Sequence, residues 1–244
     1  MERFSSSATI VEDEKHDSLV PHVWENTVRQ LTMDDCSDAG LSLSVSFASD
    51  HLSHYLLDGE DMAGHSAEQK WKLHLALMRT VVASHCLKGS VTTIGPDYDG
   101  LAIWDLPRSN TDGWWTMFRS GMLKLYFQLP QEGRRRYYKE MLPLLTRTKQ
   151  EVMGDRDDDC YYLVYIGTKP HARGKGYAGK LLRHMMRKAD AEKRAMYLES
   201  SSKANNAYYE KFGFKVVKDI SLTRGPEPVK LDIMVREPQL LKVG

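Results

Sequence analysis

The spacing of hydrophobic positions changes several times along the chain, and each change marks an element. Trp71, Leu75, Met78 and Val82 recur at helical intervals, which predicts an amphipathic helix over 67–88 that Gly89 ends. Upstream, "TVRQLTMDD" (27–35) reads as a short strand and a turn with capping aspartates, and "AGLSLSVSFASDHLSHYLL" reads as helix. "SVTTIGPDYDGLAIWDLP" reads as two strands joined at Gly95–Gly100, a hairpin. Two helical segments follow, about 112–128 and 132–152, with Pro143 as the expected kink in the second.

The last third is more regular. "CYYLVYIGT" (160–168) is a continuous apolar run, as expected of a buried strand. A glycine-rich loop leads into a helix with its apolar stripe at Ala178, Leu181, Leu182, Met185, Met186 and Ala189. "AMYLES" (195–200) is a second buried strand, and "NNAYYEKF" (205–212) a short helix closed by Gly213. "FKVVKDISL" and "VKLDIMVR" are strands, the latter alternating at Val229, Leu231, Ile233 and Val235. The order is α/β, with one strand–loop–helix–strand unit carrying the glycines. Residues 1–20 are polar and expected to be flexible, and 21–244 read as a single domain.

Composition narrows the functional classes. A formal net charge of +1 over 244 residues gives no field that draws the chain to nucleic acid or to an anionic membrane. The basic run "GRRRYYK" (133–139) reads as a solvated helix face, and the aspartates of "GDRDDD" (154–159) as an exposed turn. Cys36, Cys86 and Cys160 are scattered and form no C-x-x-C, which argues against a disulfide framework or a zinc cluster and for a reducing, cytoplasmic setting. His51 and His54 have a helical metal spacing but no clear third ligand, so no metal is expected. There is no apolar run of the roughly 20 residues needed to span a bilayer.

"HARGKGYAGKLL" (171–182) is the stretch richest in chemistry, and it fits three phosphate-binding patterns. In each, glycines let backbone N–H groups approach an anion, and a helix starting there points its positive end at the charge. Gly174, Gly179 and Lys180 spell most of G-x-x-x-x-G-K, but Leu181 stands where Ser or Thr must hold magnesium. Gly174, Gly176 and Gly179 spell G-x-G-x-x-G, and Glu199 lies 20 residues beyond, where a ribose-binding acid belongs. Against that, Lys169 to Arg173 separate the strand from the first glycine, and only a short helix and an antiparallel strand pair follow. The third pattern, Arg173-x-x-Gly176-x-Ala178, is a loop for the pyrophosphate of coenzyme A.

"YYLVYIGTKPHARGKGYAGKLL" followed by "MYLESSSKANNAYYEKFGFKVV" resembles the GNAT superfamily of acyl-CoA N-acyltransferases, most strongly over about 160–237. Ala102 to Trp104, the long helical insert and the Leu-Glu-x-Ser…Tyr-Glu pattern are similar to the puromycin N-acetyltransferase-like small-molecule subgroup. The resemblance implies a single domain with a mixed, mostly antiparallel twisted sheet, helices on both faces, and a helical insert (110–153) before the central strand. It implies an acetyl-CoA-dependent N-acetyltransferase that acetylates a small amine (drug, toxin or metabolite) by direct transfer, as monomer or homodimer.

Residue by residue, the resemblance implies that the backbone of Arg173, Gly174, Lys175, Gly176, Tyr177 and Ala178 holds the pyrophosphate, with Arg173 and Lys175 adding charge. Ile166, Gly167 and Thr168 would pair with the pantetheine arm as an added strand. Asn205 matches an asparagine beside that arm, or is a helix N-cap. Tyr209 would protonate the leaving thiolate; Tyr208 points about 100° away, so at most one of the two faces the thioester, and either could simply be core. Glu199 would hold the amine or relay its proton, or pair with an arginine. Trp114, Trp115, Phe118, Tyr126 and Phe127 could cap an amine pocket or be core; Asp105 could bind a cation or start a turn. Rival readings are protein or peptide acetylation, a non-catalytic acyl-CoA-binding module and, more remotely, an NAD(P)-dependent oxidoreductase.

Overall fold

Seven strands form one sheet in the order β1-β2-β3-β4-β5-β7-β6. They are β1 (Arg29–Gln30), β2 (Ser90–Ile94), β3 (Gly100–Asp105), β4 (Tyr161–Thr168), β5 (Met196–Ser200), β6 (Lys215–Leu222) and β7 (Val229–Arg236). Every neighbouring pair is antiparallel except β4 and β5. A parallel pair needs a crossover, and helix α8 (Tyr177–Ala191) supplies it. The computed structural model describes residues 19–109 and 114–239, so the expectation of a flexible start at 1–20 lies almost wholly outside the described residues.

Helices cover both faces of the sheet. Helix α1 (Cys36–Ser46), α2 (His51–Leu57) and α3 (Ala67–Lys88) contribute to the larger core, which includes Leu43, Leu56, Leu77, Met78 and Val82. The opposite face carries a second core where Leu181, Leu182 and Met185 of α8 pack on Ala102, Trp104, Met196 and Leu198. Tyr209 and Phe214 complete that cluster beside α9 (Lys203–Glu210). Helix α3 starts where its sequence dictates: Ser66 Oγ accepts from the Gln69 N–H at 3.2 Å, and Gln69 Oε1 accepts from the Ser66 N–H at 2.8 Å.

Four expected elements come out differently. The single helix expected over "AGLSLSVSFASDHLSHYLL" is two, because Asp50 caps a new start by accepting the Ser53 N–H at 3.1 Å. The helix expected over 112–128 is interrupted at Gly121, whose φ of 85° no helix tolerates, giving α4 (Trp114–Arg119) and α5 (Met122–Gln128). The segment 132–152 runs through α6 (Gln131–Arg134), a π-helical stretch (Arg135–Met141) and α7 (Leu142–Met153). Its irregularity lies just ahead of Pro143, which has no N–H to return to the preceding turn. Helix α9 begins two residues before the expected 205, at Lys203, because Ser202 accepts the Asn205 N–H at 3.2 Å.

Candidate active site

Strands β4 and β5 pair only at Tyr161–Leu163 with Met196–Leu198. Beyond Leu163 they part, while β4 continues to Thr168 in pairing with β3. Ile166, Gly167 and Thr168 pair with Ala102, Leu101 and Gly100 on one edge, and among the described residues their other edge has no strand partner. Register skips one residue here: Tyr165 faces Ile103 and Leu163 faces Trp104, leaving Val164 as a bulge that bends β4 at the mouth of the split. Gly167 must lack a side chain, since a Cβ would lie 2.7 Å from the ring of Phe47, which caps the end of α1, and 2.9 Å from Ser46 Cβ.

The glycine loop lies at the far end of the same strand. Gly174 and Gly176 take φ of 84° and 74°, and a Cβ on either would meet nothing within 4 Å, so the loop backbone is open. Gly176 heads α8, and the first bond closing that helix runs from the Lys180 N–H to the Gly176 carbonyl at 3.1 Å. The amides ahead of it point out of the helix end, where the helix dipole favours an anion. Arg173 and Lys175 are exposed beside them. Tyr177 is 3% exposed and packs into the core, so only its backbone reaches the loop. Open β4 edge, positive-φ glycines and a helix terminus together fit an extended ligand ending in phosphates.

A cavity of about 250 Å³ lies at the mouth of the split, lined by Leu163–Ile166 of β4 and Leu198–Ser201 around the end of β5. Glu199, Asn205 and Tyr209 all line it. Asn205 is exposed at its rim and is not the cap of α9, a role that falls to Ser202. Tyr209 is 8% exposed and packs edge-on against Phe214 at 5.9 Å. Burial holds its phenol well above the usual tyrosine range. Tyr208 instead packs on Phe212 at 5.2 Å and reaches Gly179 of α8.

Burial pushes the Glu199 carboxyl up to about 7, and the nearby Tyr162 and Tyr197 hydroxyls offset part of that rise. Oε1 is buried without a hydrogen bond of good geometry, and among the described residues no arginine pairs with Glu199. The carboxyl is thus poised to exchange a proton near neutrality. Tyr162 and Tyr197 sit opposite each other across β4 and β5, with rings 5.4 Å apart. Their place beside Glu199 was readable in part, since Tyr197 and Glu199 are two apart on one strand and share a face.

The insert forms one wall of the cavity through Met122, Tyr137, Met141, Leu142 and Leu145. These are not the aromatics expected there. Phe118 and Phe127 are 62% and 77% exposed, and Tyr126 packs on Tyr138 at 5.3 Å, because the break at Gly121 turns their helices away from the cavity. For Trp114 and Trp115 the expectation concerns side chains outside the described residues. Asp105 lines the cavity too, with His85 Nε2 at 3.3 Å from its Oδ1. His85, on the buried stripe of α3, carries no local signal that separates it from core.

Other readings find no support in the fold. With one parallel strand pair and antiparallel β6 and β7, the sheet is not the doubly wound sheet that binds dinucleotides. No group of three or more His, Cys, Asp or Glu among the described residues could hold a metal ion, and His51 and His54 gain no third ligand. No helix among the described residues is long and apolar enough to cross a membrane.

Comparison with known proteins agrees with this geometry. Residues 147–216 match the family model of the acetyltransferase (GNAT) domain. The chain is 37% identical over 205 residues to an uncharacterized N-acetyltransferase of Schizosaccharomyces pombe, covering 84% of this chain and 81% of that protein. A Corynebacterium glutamicum structure described as histone acetyltransferase HPA2 and related acetyltransferase is similar with a TM-score of 0.55 at 19% identity, over 89% of this chain and 98% of that one. A mosquito arylalkylamine N-acetyltransferase like 5b gives a TM-score of 0.56 at 14% identity, over 86% of this chain and 99% of that one. At such identities the two solved structures establish the fold and leave the acceptor open.

Proposed function

Because the chain belongs to the GNAT family of acetyltransferases, we propose that it moves an acetyl group from acetyl-CoA directly to the amine of a small molecule. The observation that carries this reading is three features along one strand: the split between β4 and β5, a small cavity at its mouth lined by Glu199 and Tyr209, and the glycine loop heading α8 beyond the end of β4. The cavity, about 250 Å³ and lined mainly by apolar side chains with a few polar groups, is suited to a compact acceptor.

Acetyl-CoA, when bound, supplies an activated thioester. The open edge of Ile166–Thr168 is available to its pantetheine amides, and Arg173 to Ala178 to its pyrophosphate. Asn205 stands at the cavity rim beside that path. Glu199 takes a proton from the incoming ammonium, directly or through water, and frees the nitrogen lone pair for attack on the carbonyl carbon. Tyr209 stays protonated at working pH and presents its O–H to the departing sulfur, so a thiolate leaves against a hydrogen-bond donor rather than an apolar wall. The insert at 110–153 closes the acceptor side through Tyr137, Met141 and Leu145.

The test has two parts. Calorimetric titration of the protein with coenzyme A and with NAD(P) should give binding for the first alone. Mass spectrometry of a mixed pool of small amines and lysine-containing peptides, incubated with acetyl-CoA and protein, should find the acetyl group on small amines. Acetylation confined to the peptides would replace this reading with a protein acetyltransferase.

A further inference from the structure

Residues four apart on a helix share a face, and the insert puts two adjoining faces to different uses. Tyr137, Met141 and Leu145 line the cavity. Glu132, Arg136 and Glu140 form the adjoining face, and each is bonded to another part of the chain. Arg136 is 3% exposed; its Nη1 donates to the Tyr55 carbonyl of α2 at 2.7 Å, and its Nε donates to Glu132 Oε1 at 3.4 Å. Its guanidinium also lies 4.9 Å from the centre of the Tyr55 ring.

The turn between β6 and β7 closes the arrangement. Glu140 Oε1 accepts the N–H groups of Thr223 and Arg224 at 2.7 and 3.1 Å, and Glu140 Oε2 accepts the Tyr55 hydroxyl. The Arg224 side chain forks onto Glu132, with Nε 2.7 Å from Oε1 and Nη2 3.3 Å from Oε2. At Gly225 a Cβ would lie 2.8 Å from the Tyr55 ring, so the turn is packed against α2. An isolated exposed ion pair contributes little. Here a bidentate fork, two backbone donors and a buried guanidinium act together on 132–140. That stretch contains most of the π-helical segment Arg135–Met141, a rare backbone form. Glu132 and Glu140 stand near its two ends, so pinning both fixes the register in which Tyr137 and Met141 face the cavity. Leu231 of β7, beyond the turn, lines the cavity as well.

Resting on the reading that this cavity receives the acceptor amine, we propose that Glu132, Glu140 and Arg224 are positioning residues for acceptor recognition. Through them the β6–β7 turn clasps the insert and sets the wall that Tyr137 and Met141 present to the amine. The residues read as holding acetyl-CoA, Ile166 to Ala178, belong to β4, the loop after it and the head of α8, not to the insert. Loosening the clasp therefore disturbs the acceptor and spares acetyl-CoA.

Arg224→Met is the direct test. The Arg224 side chain is 44% exposed, and Glu132 keeps Arg136 and Arg135 at 3.4 and 3.8 Å when it is replaced, so no buried charge is stranded and the variant folds. We would measure KM for acetyl-CoA and for two compact amines, 2-phenylethylamine and hexylamine, by thiol release. Arg224→Met should raise the amine KM by about 3- to 10-fold and leave the acetyl-CoA KM within about twofold. Arg224→Lys keeps the charge and loses the fork, and should fall between. Added to Met141→Ala, in which the wall is already lost, Arg224→Met should cost less than about twofold more. An unchanged amine KM in Arg224→Met, a parallel rise in both KM values, or a full additional loss on top of Met141→Ala would each overturn the proposal. If Met141→Ala itself left the amine KM unchanged, or if neither amine were acetylated with acetyl-CoA bound, the reading of the cavity as the acceptor site would fall and this one with it. A loss in Met141→Ala with none in Arg224→Met removes the clasp alone.

Discussion

Glu199→Gln keeps the shape of the side chain and removes its charge, and its consequences for stability and for rate can be worked out separately. In the fold the carboxyl titrates at about 7 against an ordinary 4.5. The dominant cause is burial, since Tyr162 and Tyr197 pull the other way. A folded-state value raised above the unfolded one means stability that is fully present below about pH 4.5 and is lost as pH rises through 7. Linkage gives the ionised carboxyl a penalty of roughly 1 kcal/mol at pH 5 and about 3 kcal/mol at pH 8, as upper estimates. Glu199→Gln escapes that penalty, so its stability relative to wild type should rise by about 2 kcal/mol between pH 5 and pH 8. Urea unfolding at both pH values, followed by tryptophan fluorescence, measures the difference. Activity should move oppositely: wild-type kcat/KM should climb with pH through about 7, whereas Glu199→Gln should fall by about 10²–10⁴-fold and lose that limb. A stability difference that does not change with pH would refute the burial of this charge, and an unchanged pH–rate profile would refute its role as base.

Three further outcomes follow from the same geometry. Arg236 is 1% exposed and holds Asp190 through two bonds of 2.7 and 2.8 Å, so Asp190→Ala should cost about 3–5 kcal/mol in urea unfolding by stranding a buried guanidinium. Replacing both Arg173 and Lys175 by alanine should raise the KM for acetyl-CoA by about 10- to 100-fold, with kcat nearly constant and a weaker salt dependence, since both cations are exposed beside the glycine loop. Gly167→Ala would drive a methyl to 2.7 Å from the Phe47 ring and should destabilise by about 1–3 kcal/mol, lowering Tm.

What could be read from the chain without its fold divides along a physical line. The glycine loop, the apolar strand before it and the striped helix after it are local patterns, so strand β4, helix α8 and their order were legible. So was the hairpin β2–β3, whose turn residues stand in the sequence. The unpaired edge of β4 was anticipated at Ile166 to Thr168, but the split that frees it depends on where β5 stops pairing, which no local spacing encodes. The insert misled because Phe118 and Phe127 have helical spacing like any buried stripe. A left-handed glycine at 121 and the π-helical stretch before Pro143 redirect those faces, and Tyr137, Met141 and Leu145 line the cavity instead. His85 was hidden for the converse reason. It continues the apolar face of α3, and only the approach of Asp105 from β3 distinguishes it from core.

The most direct measurement is thiol release from acetyl-CoA with and without amine, run side by side on wild type and Tyr209→Phe. Wild type should release thiol only when an acceptor is present, and Tyr209→Phe should lose tenfold or more in kcat while binding acetyl-CoA as tightly, because the proposed role of this cavity-lining phenol is to donate to the leaving sulfur. Equal turnover by the two proteins would take Tyr209 out of the chemistry, and failure of the wild-type protein to bind acetyl-CoA would contradict the site itself.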